Sequence, residues 1–492
     1  MFVVFGKGHG VRRQALQQPL QIRETESAEE FITTITLEED DMIDVNSIIA
    51  HVIKEIIYDL LEKFGSRIVI GMENFFDNSI NTDFYKINKD RRFKLFRQTV
   101  LRRYYTEDYF TEVNGKTFPA FCIPSTKIEG SSNEITKYDA LLLADKKNSG
   151  IEFNENEHQN YKKRYYASYS QIVKKRVVAG DRPGLMLDRL KCDKNGNVES
   201  FQVYLGTYAE NVYTSHVLEY ELYRAYKKFQ GKNVKDYWDK IVKFMKTRNE
   251  IDKSVRADKR LNISEEKKAF LTSGEGRHSL LGVQMLVLMR EDVKSENEKK
   301  ERYRLFLTKR SKKMAIAPEY YQLIPSGGFE IFSDCQQEYS EKLIRDNLSV
   351  GCAVFREYLE EIFRDKNFKV EDNYNLNAAL KEDERIQEIE KMLKSGDASF
   401  EFLGCVVDLT VLRYELSFVL VIKNSNYWEK NFKEKNKFWT HKFIDDVYLD
   451  NFEQKEKKYI WNNLHWSSAA MWKLFSQTDL YQELKGSKTN SK

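Results

Sequence analysis

The sequence predicts an ordered, multi-domain chain of mixed α/β and α+β class. Three observations carry that reading. In the first 71 residues a strand-like alternation, a helical periodicity and a short apolar run follow one another. That order of strand, helix and strand belongs to α/β or α+β units rather than to a helical bundle. Further on, an Asn-Gly pair separates two apolar runs, the signature of a β-hairpin. From about residue 280, strands and amphipathic helices alternate again.

Composition agrees with packed cores. Hydrophobic residues make up 41% and aromatics 13%, too many for a disordered chain. With 6 prolines and 22 glycines, collagenous and Pro-rich architectures are excluded. A length of 492 residues suits about three domains at roughly 150 residues each. Lys+Arg 80 against Asp+Glu 76 leaves +4, which excludes a strongly basic coat or an acidic tail as the main theme. No run approaches the ~18 apolar residues of a membrane span, and Met1–Phe5 is too short for a signal core. The 5 cysteines are scattered without a Cys-x-x-Cys pair, so neither a disulfide framework nor a structural zinc site is expected. A reduced, cytoplasmic setting follows as the expectation.

In order along the chain, Phe31–Leu37 alternates as a strand. Asp44 or Ser47 can cap a helix with Ile48, Ile49, Val52, Ile56, Leu60 and Leu61 at helical spacing, ended by Gly65. Arg67–Gly71 and Tyr138–Ala144 read as further strands. Polar residues 146–160 close an N-terminal α/β region over 1–150. A middle segment, 151–272, holds the hairpin of Leu185–Leu190 and Val198–Leu205 around Asn195-Gly196. A helix over Val217–Phe229 and a charged, mostly helical stretch from Lys232 to Lys268 follow. Ser273–Gly276 marks the second boundary. In 273–492, Leu280–Met289 and Arg302–Lys309 read as strands running to Gly327-Gly328. A helix over Asn347–Arg364 carries Leu348, Cys352, Phe355, Leu359 and Ile362 as one apolar stripe. Glu382–Lys394 is a helix ending at Gly396, Phe400–Leu409 and Leu416–Lys423 are strands, and Tyr459–Phe475 is an aromatic-rich helix.

The chemistry concentrates in Arg356-Glu357-Tyr358-Leu359-Glu360-Glu361. At 100° per residue Glu357, Glu360 and Glu361 share a face. Crowded carboxylates repel, and a hard divalent cation removes that cost. The plain alternative is a solvated charged face. Upstream, Tyr320–Pro325 leads into Ser326-Gly327-Gly328-Phe329-Glu330, where paired glycines allow a sharp turn or a close approach to phosphate.

Together these residues resemble the Nudix hydrolase family, whose box opens with Gly and ends in a helix reading Arg-Glu-aliphatic-any-Glu-Glu. Gly328 matches the opening, and Arg356, Glu357, Glu360 and Glu361 match the helix. The likeness covers roughly Gly276–Tyr481. It departs in four places. Gly328 and Arg356 stand 28 positions apart, about twice the uninterrupted spacing. Asp334 keeps the loop Glu's spacing from Gly328, but Leu348 takes it from Arg356. Phe363 replaces the closing Gly, and Tyr358 an aliphatic residue.

The resemblance implies a C-terminal α/β/α sandwich with a mixed sheet. It also implies Mg²⁺- or Mn²⁺-assisted cleavage of a phosphoanhydride in a nucleoside diphosphate linked to another group, or in a related nucleotide. Glu357, Glu360 and Glu361 would hold the metal, and Arg356 would orient a carboxylate. Gly327, Gly328, Glu330 and Asp334 would form the phosphate loop. Glu330, Asp334, Glu401 and Glu415 are open candidates for a base or extra ligand outside the box. The alternative is a nucleotide-sensing module that controls the N-terminal region.

Weaker signals lie elsewhere. Tyr161-Lys162-Lys163-Arg164-Tyr165-Tyr166, with Tyr169 and Lys174–Arg176, interleaves bases and aromatics, which suits nucleic acid or simply a basic exposed face. Gly6–Gly10 lacks the Gly-Lys-Ser/Thr ending of a phosphate loop. Trp461, Trp466 and Trp472 are expected to pack.

Overall fold

The computed structural model describes residues 20–22, 32–35, 90–125, 151–153, 183–192, 194–257, 269–294, 299–311, 317, 319–330, 349–363, 380–433, 443–444 and 446–486. The chain divides into two compact units, Met1–Thr82 and Asp83–Lys492. In the first, β1 (Leu20–Ile22) pairs antiparallel with β2 (Ile32–Ile35), which falls within the strand expected at Phe31–Leu37. The expected helix from Asp44 and the strands at Arg67–Gly71 and Tyr138–Ala144 lie outside the described residues.

The second unit is mixed α/β. Helix α1 (Arg91–Tyr105) starts at Asp90, whose carboxylate accepts from the Arg92 N–H. Its buried Phe93, Phe96, Val100 and Leu101 face the core. Strands β3 (Thr111–Val113), β4 (Lys116–Phe118) and β5 (Ala120–Pro124) follow. A smaller sheet joins β6 (Ile151–Phe153), β7 (Pro183–Cys192) and β8 (Val198–Thr207). Its β7–β8 hairpin turns at Gly196, whose φ of +82° only glycine adopts freely. Helix α2 (Val217–Phe229) spans the predicted range, and α3 (Lys246–Ala257) lies within the charged stretch.

The main sheet is six-stranded and mixed. Its order is β10 (Lys299–Leu305), β9 (Leu281–Lys294), β15 (Arg413–Ile422), β14 (Ala398–Asp408), β5. Strand β13 (Ser326–Gly328) pairs with the first half of β9. Strands β9 and β15 run parallel and the other pairs antiparallel. The boundaries expected near 150 and 272 fall inside this unit, and β5 pairs with β14 across them. Gly274 packs tightly as well, because a Cβ there would lie 1.6 Å from the Leu187 carbonyl oxygen.

Helices cover both faces of the sheet. Helix α4 (Val350–Glu361) is capped by Ser349, which accepts from the Cys352 N–H. Its Phe355 packs on Phe400 of β14, which stacks on Phe418 of β15. Helix α5 (Glu384–Ser395) ends at the left-handed Gly396, as its sequence predicts. On the alternate positions, Leu286, Leu288, Val419 and Val421 join the core that contains Trp461, Trp466 and Trp472. No described helix is long and apolar enough to cross a membrane.

Two expected elements divide. The Arg302–Lys309 strand splits at buried Phe306: Lys299–Leu305 pairs with β9, and β11 (Leu307–Lys309) pairs with β12 (Tyr321–Leu323). The single helix expected over Tyr459–Phe475 breaks between Lys458–Trp461 and α6 (Trp466–Ser476). There the chain turns to hydrogen-bond β12: the Tyr321 N–H donates to the Asn463 carbonyl, and the His465 N–H to the Tyr321 carbonyl. Tertiary hydrogen bonds override the helical periodicity.

Candidate functional site

Strand β13 is the floor of the site, and α4 supplies its charges. The Met285 N–H donates to the Pro325 carbonyl and the Phe329 N–H to the Leu281 carbonyl. Alternation therefore turns the Ser326 N–H and the Gly328 carbonyl away from β9. Side chains of α4 take both. Ser326 N–H donates to Glu361 Oε2 at 2.9 Å, and Arg356 Nη2 donates to the Gly328 carbonyl at 3.0 Å.

Arg356 also holds two of the carboxylates. It meets Glu357 Oε1 at 2.7 Å and Glu360 Oε1 at 3.1 Å. The solvated face considered for this helix is thus only partly present: Arg356 and Glu357 are buried, whereas the Glu360 side chain is about a third exposed. The Glu357 carboxylate lies directly over Gly327, where a Cβ would stand 1.8 Å from Oε1. Burial pushes the Glu357 carboxyl well up. Arg356 opposes that shift, and Glu361, Glu360 and Glu330 add to it. The two positions that depart from the box serve packing. Tyr358 is fully buried with its hydroxyl 3.2 Å from that of Tyr427, and the Phe363 ring packs on those of Tyr358 and Phe432.

A second group reaches β13 from β15. Arg413 Nη2 donates to the Gly327 carbonyl at 3.2 Å, and its Nε lies 3.1 Å from Glu415 Oε1. Register places Glu415 beside Gly282 and Gly282 beside Gly328. Glu415 Oε2 fills the space over Gly282, where a Cβ would come within 2.0 Å. That oxygen is buried and has no hydrogen-bond partner. Burial raises the Glu415 carboxyl to about 7, against Arg413. Arg310 donates to Gln322, and burial and the Arg413 cation lower it to about 10. Burial, with Arg413 and Arg310 nearby, holds His216 at about 3, so its imidazole is neutral.

Of the sequence-predicted residues, the structure thus brings Arg356, Glu357, Glu360, Glu361, Gly327 and Gly328 together. Glu330 follows directly, its N–H donating to the Gly328 carbonyl and Gly184 of β7 bridging to it. Asp334 and Tyr161–Arg176 lie outside the described residues. Glu401 sits on β14 opposite Val419. Arg310 and Arg413 belong to no motif in the sequence. The only trace of Arg413 in sequence is its place two residues before Glu415, on the same face of a strand.

Glu361, Glu360 and Glu330 lie near enough to Glu357 to add to the rise that burial imposes on its carboxyl. As the side chains stand, however, no three His, Cys, Asp or Glu among the described residues are grouped to hold a metal ion. Arg356 and the Ser326 N–H occupy them instead. No protein-family model matches the sequence, and no curated protein matches it.

Proposed function

We propose that Asp83–Lys492 carries a Nudix-type α/β/α sandwich and hydrolyses a phosphoanhydride bond in a nucleoside diphosphate linked to another group, or in a related nucleotide. The observation that carries the reading is the apposition of Gly327 and Glu357. The box's turn and the box's helix meet across an interrupted spacing, with the carboxylate seated where a side chain would stand. Glu357, Glu360 and Glu361 are the residues that would hold Mg²⁺ or Mn²⁺. The ion would neutralise phosphate charge and lower the pKa of water.

The chain's own groups divide the remaining work. Arg356 orients Glu357 and Glu360 from one guanidinium. Arg413, tied to β13, and Arg310 supply positive charge for the phosphates. Among the carboxylates outside the box, Glu415 is the favoured proton acceptor, because its Oε2 is buried and unpartnered. A carboxyl raised to about 7 suits that task near neutral pH.

The test is hydrolysis of a nucleotide panel with Mg²⁺ by the wild type and by Glu360→Gln and Glu361→Gln. Loss of Mg²⁺-dependent turnover in both variants is expected. Undiminished turnover in both would remove the assignment.

A second reading, a nucleotide sensor without catalysis, is favoured by the hold of Arg356 on two box carboxylates. It predicts metal-independent binding without turnover.

A further inference from the structure

Helices α1 and α2 enclose a groove of about 510 Å³, and the turn after α2 completes its rim. Its apolar lining comes from Leu95, Phe96, Phe229 and Val234. Leu95 is 64% exposed, one of two large apolar side chains left so open among the described residues. The walls are fixed in advance. The Asp90 carboxylate accepts from the Arg92 N–H and from the Tyr226 hydroxyl, joining α1 to α2. The Tyr226 ring packs edge-on against Phe93 and Phe96, at 5.3 and 5.5 Å. Gly231, at φ +77°, turns the chain so that the Lys232 N–H reaches the Phe229 carbonyl.

The charge around this recess is mainly basic, with the Asp90 carboxylate at its edge 3.6 Å from Arg92 Nε. Arg92 and Lys232 line it, and none of its lining residues among those described is acidic. Helix α1 holds Arg91, Arg92, Lys94, Arg102 and Arg103 with no Asp or Glu, while its Arg97 is buried against Glu219 of α2. From Arg224 to Lys246 the chain carries 8 basic residues against Asp236 and Asp239.

We infer that this groove docks an acidic amphipathic segment of a partner protein. The segment seats an apolar side chain between Leu95 and Phe229 and brings carboxylates to Arg92 and Lys232. Preformed walls cut the ordering cost of such docking. Single-stranded nucleic acid fits less well, because it needs open aromatic faces. Two rings beside the groove already face this chain's own cations: Trp238 has Arg103 at 4.9 Å, and Tyr237 has Lys232 and Lys240 at 5.9 and 5.7 Å. A flat anionic membrane would leave the recess unfilled. The inference is independent of the chemistry assigned to α4.

A random 16-residue peptide library displayed on phage tests it, selected on the full chain and counter-selected on Leu95→Glu. Leu95 is exposed, so that variant should fold, and its melting curve checks this. Lys232→Glu is the second variant. The expected outcome is a consensus of apolar anchors flanked by Asp or Glu. The synthesised peptide should bind at least tenfold more weakly to either variant and lose affinity with added salt. A neutral or basic consensus, or no selection that depends on Leu95, overturns the inference. So does Leu95-sensitive binding seen only with oligo-dT or with phosphatidylserine vesicles.

Discussion

Glu357 occupies the space that a side chain at Gly327 would fill. The φ of Gly327 is not positive, so alanine suits its backbone and the conflict is purely steric. A methyl group there must displace the carboxylate that Arg356 holds in place. Gly327→Ala should therefore cost about 1–3 kcal/mol, the usual range for overpacking. At Gly328 the nearest atom to a new Cβ is Leu280 Cδ2 at 3.1 Å, which a small side-chain shift relieves. Urea denaturation of the two variants should rank Gly327→Ala as clearly the more damaging. Equal effects would mean that the carboxylate does not rest on Gly327.

Arg248 binds the middle of the chain to the β14–β15 turn. It is 1% exposed and donates to the Leu409 carbonyl at 2.9 Å, the Thr410 carbonyl at 2.6 Å and the Tyr105 hydroxyl. Arg248→Ala strands those acceptors and opens a cavity, a loss of about 3 kcal/mol or more. The same contacts bear on any dissection of the chain. A fragment of residues 273–492 lacks Arg248, strand β5 on the edge of β14, and β7, to whose Asp188 carbonyl the Gly274 N–H donates. Circular dichroism should show that this fragment does not melt cooperatively, whereas 83–492 does.

Local signals were legible where local forces decide. The Asn195-Gly196 hairpin, Val217–Phe229 and the Gly396 stop each follow from turn chemistry or periodicity within a few residues. The Arg-Glu-x-x-Glu-Glu helix was legible too, though not its burial, since four charged positions look the same whether solvated or tied to a strand edge. Helix α1 is not legible in the sequence because six bases interleave its apolar positions. The break at Asn462–His465 is set by β12, more than 130 residues away, which no window on the helix contains. The approach of Arg413 to Gly327 spans 86 positions. It depends on the parallel β9–β15 pairing, which alternation alone does not specify.

Stability should fall as pH rises toward neutrality, and Glu219 on α2 is one named cause. Its carboxylate meets Arg97 Nη1 of α1 at 2.8 Å, both side chains almost fully buried. Burial opposes the charge on Arg97, but Tyr320 and Glu219 outweigh it and raise the group, so Arg97 stays cationic. For Glu219 burial outweighs Arg97 and lifts the carboxyl from 4.5 to about 7. The folded chain therefore holds this proton more tightly than the unfolded chain does. Its contribution is fully present below about pH 4.5, is lost as pH rises toward about 7, and is constant above that. The loss is on the order of 1–3 kcal/mol. Glu219→Gln keeps an acceptor for Arg97 but has no proton to lose. It should destabilise most at pH 5, where the wild-type carboxyl is neutral and favourable, and its cost relative to wild type should shrink by pH 8. Melting both proteins across pH 4.5–8 checks this. A cost that grows with pH would mean that Glu219 is ionised throughout and that the ion pair with Arg97 dominates its burial.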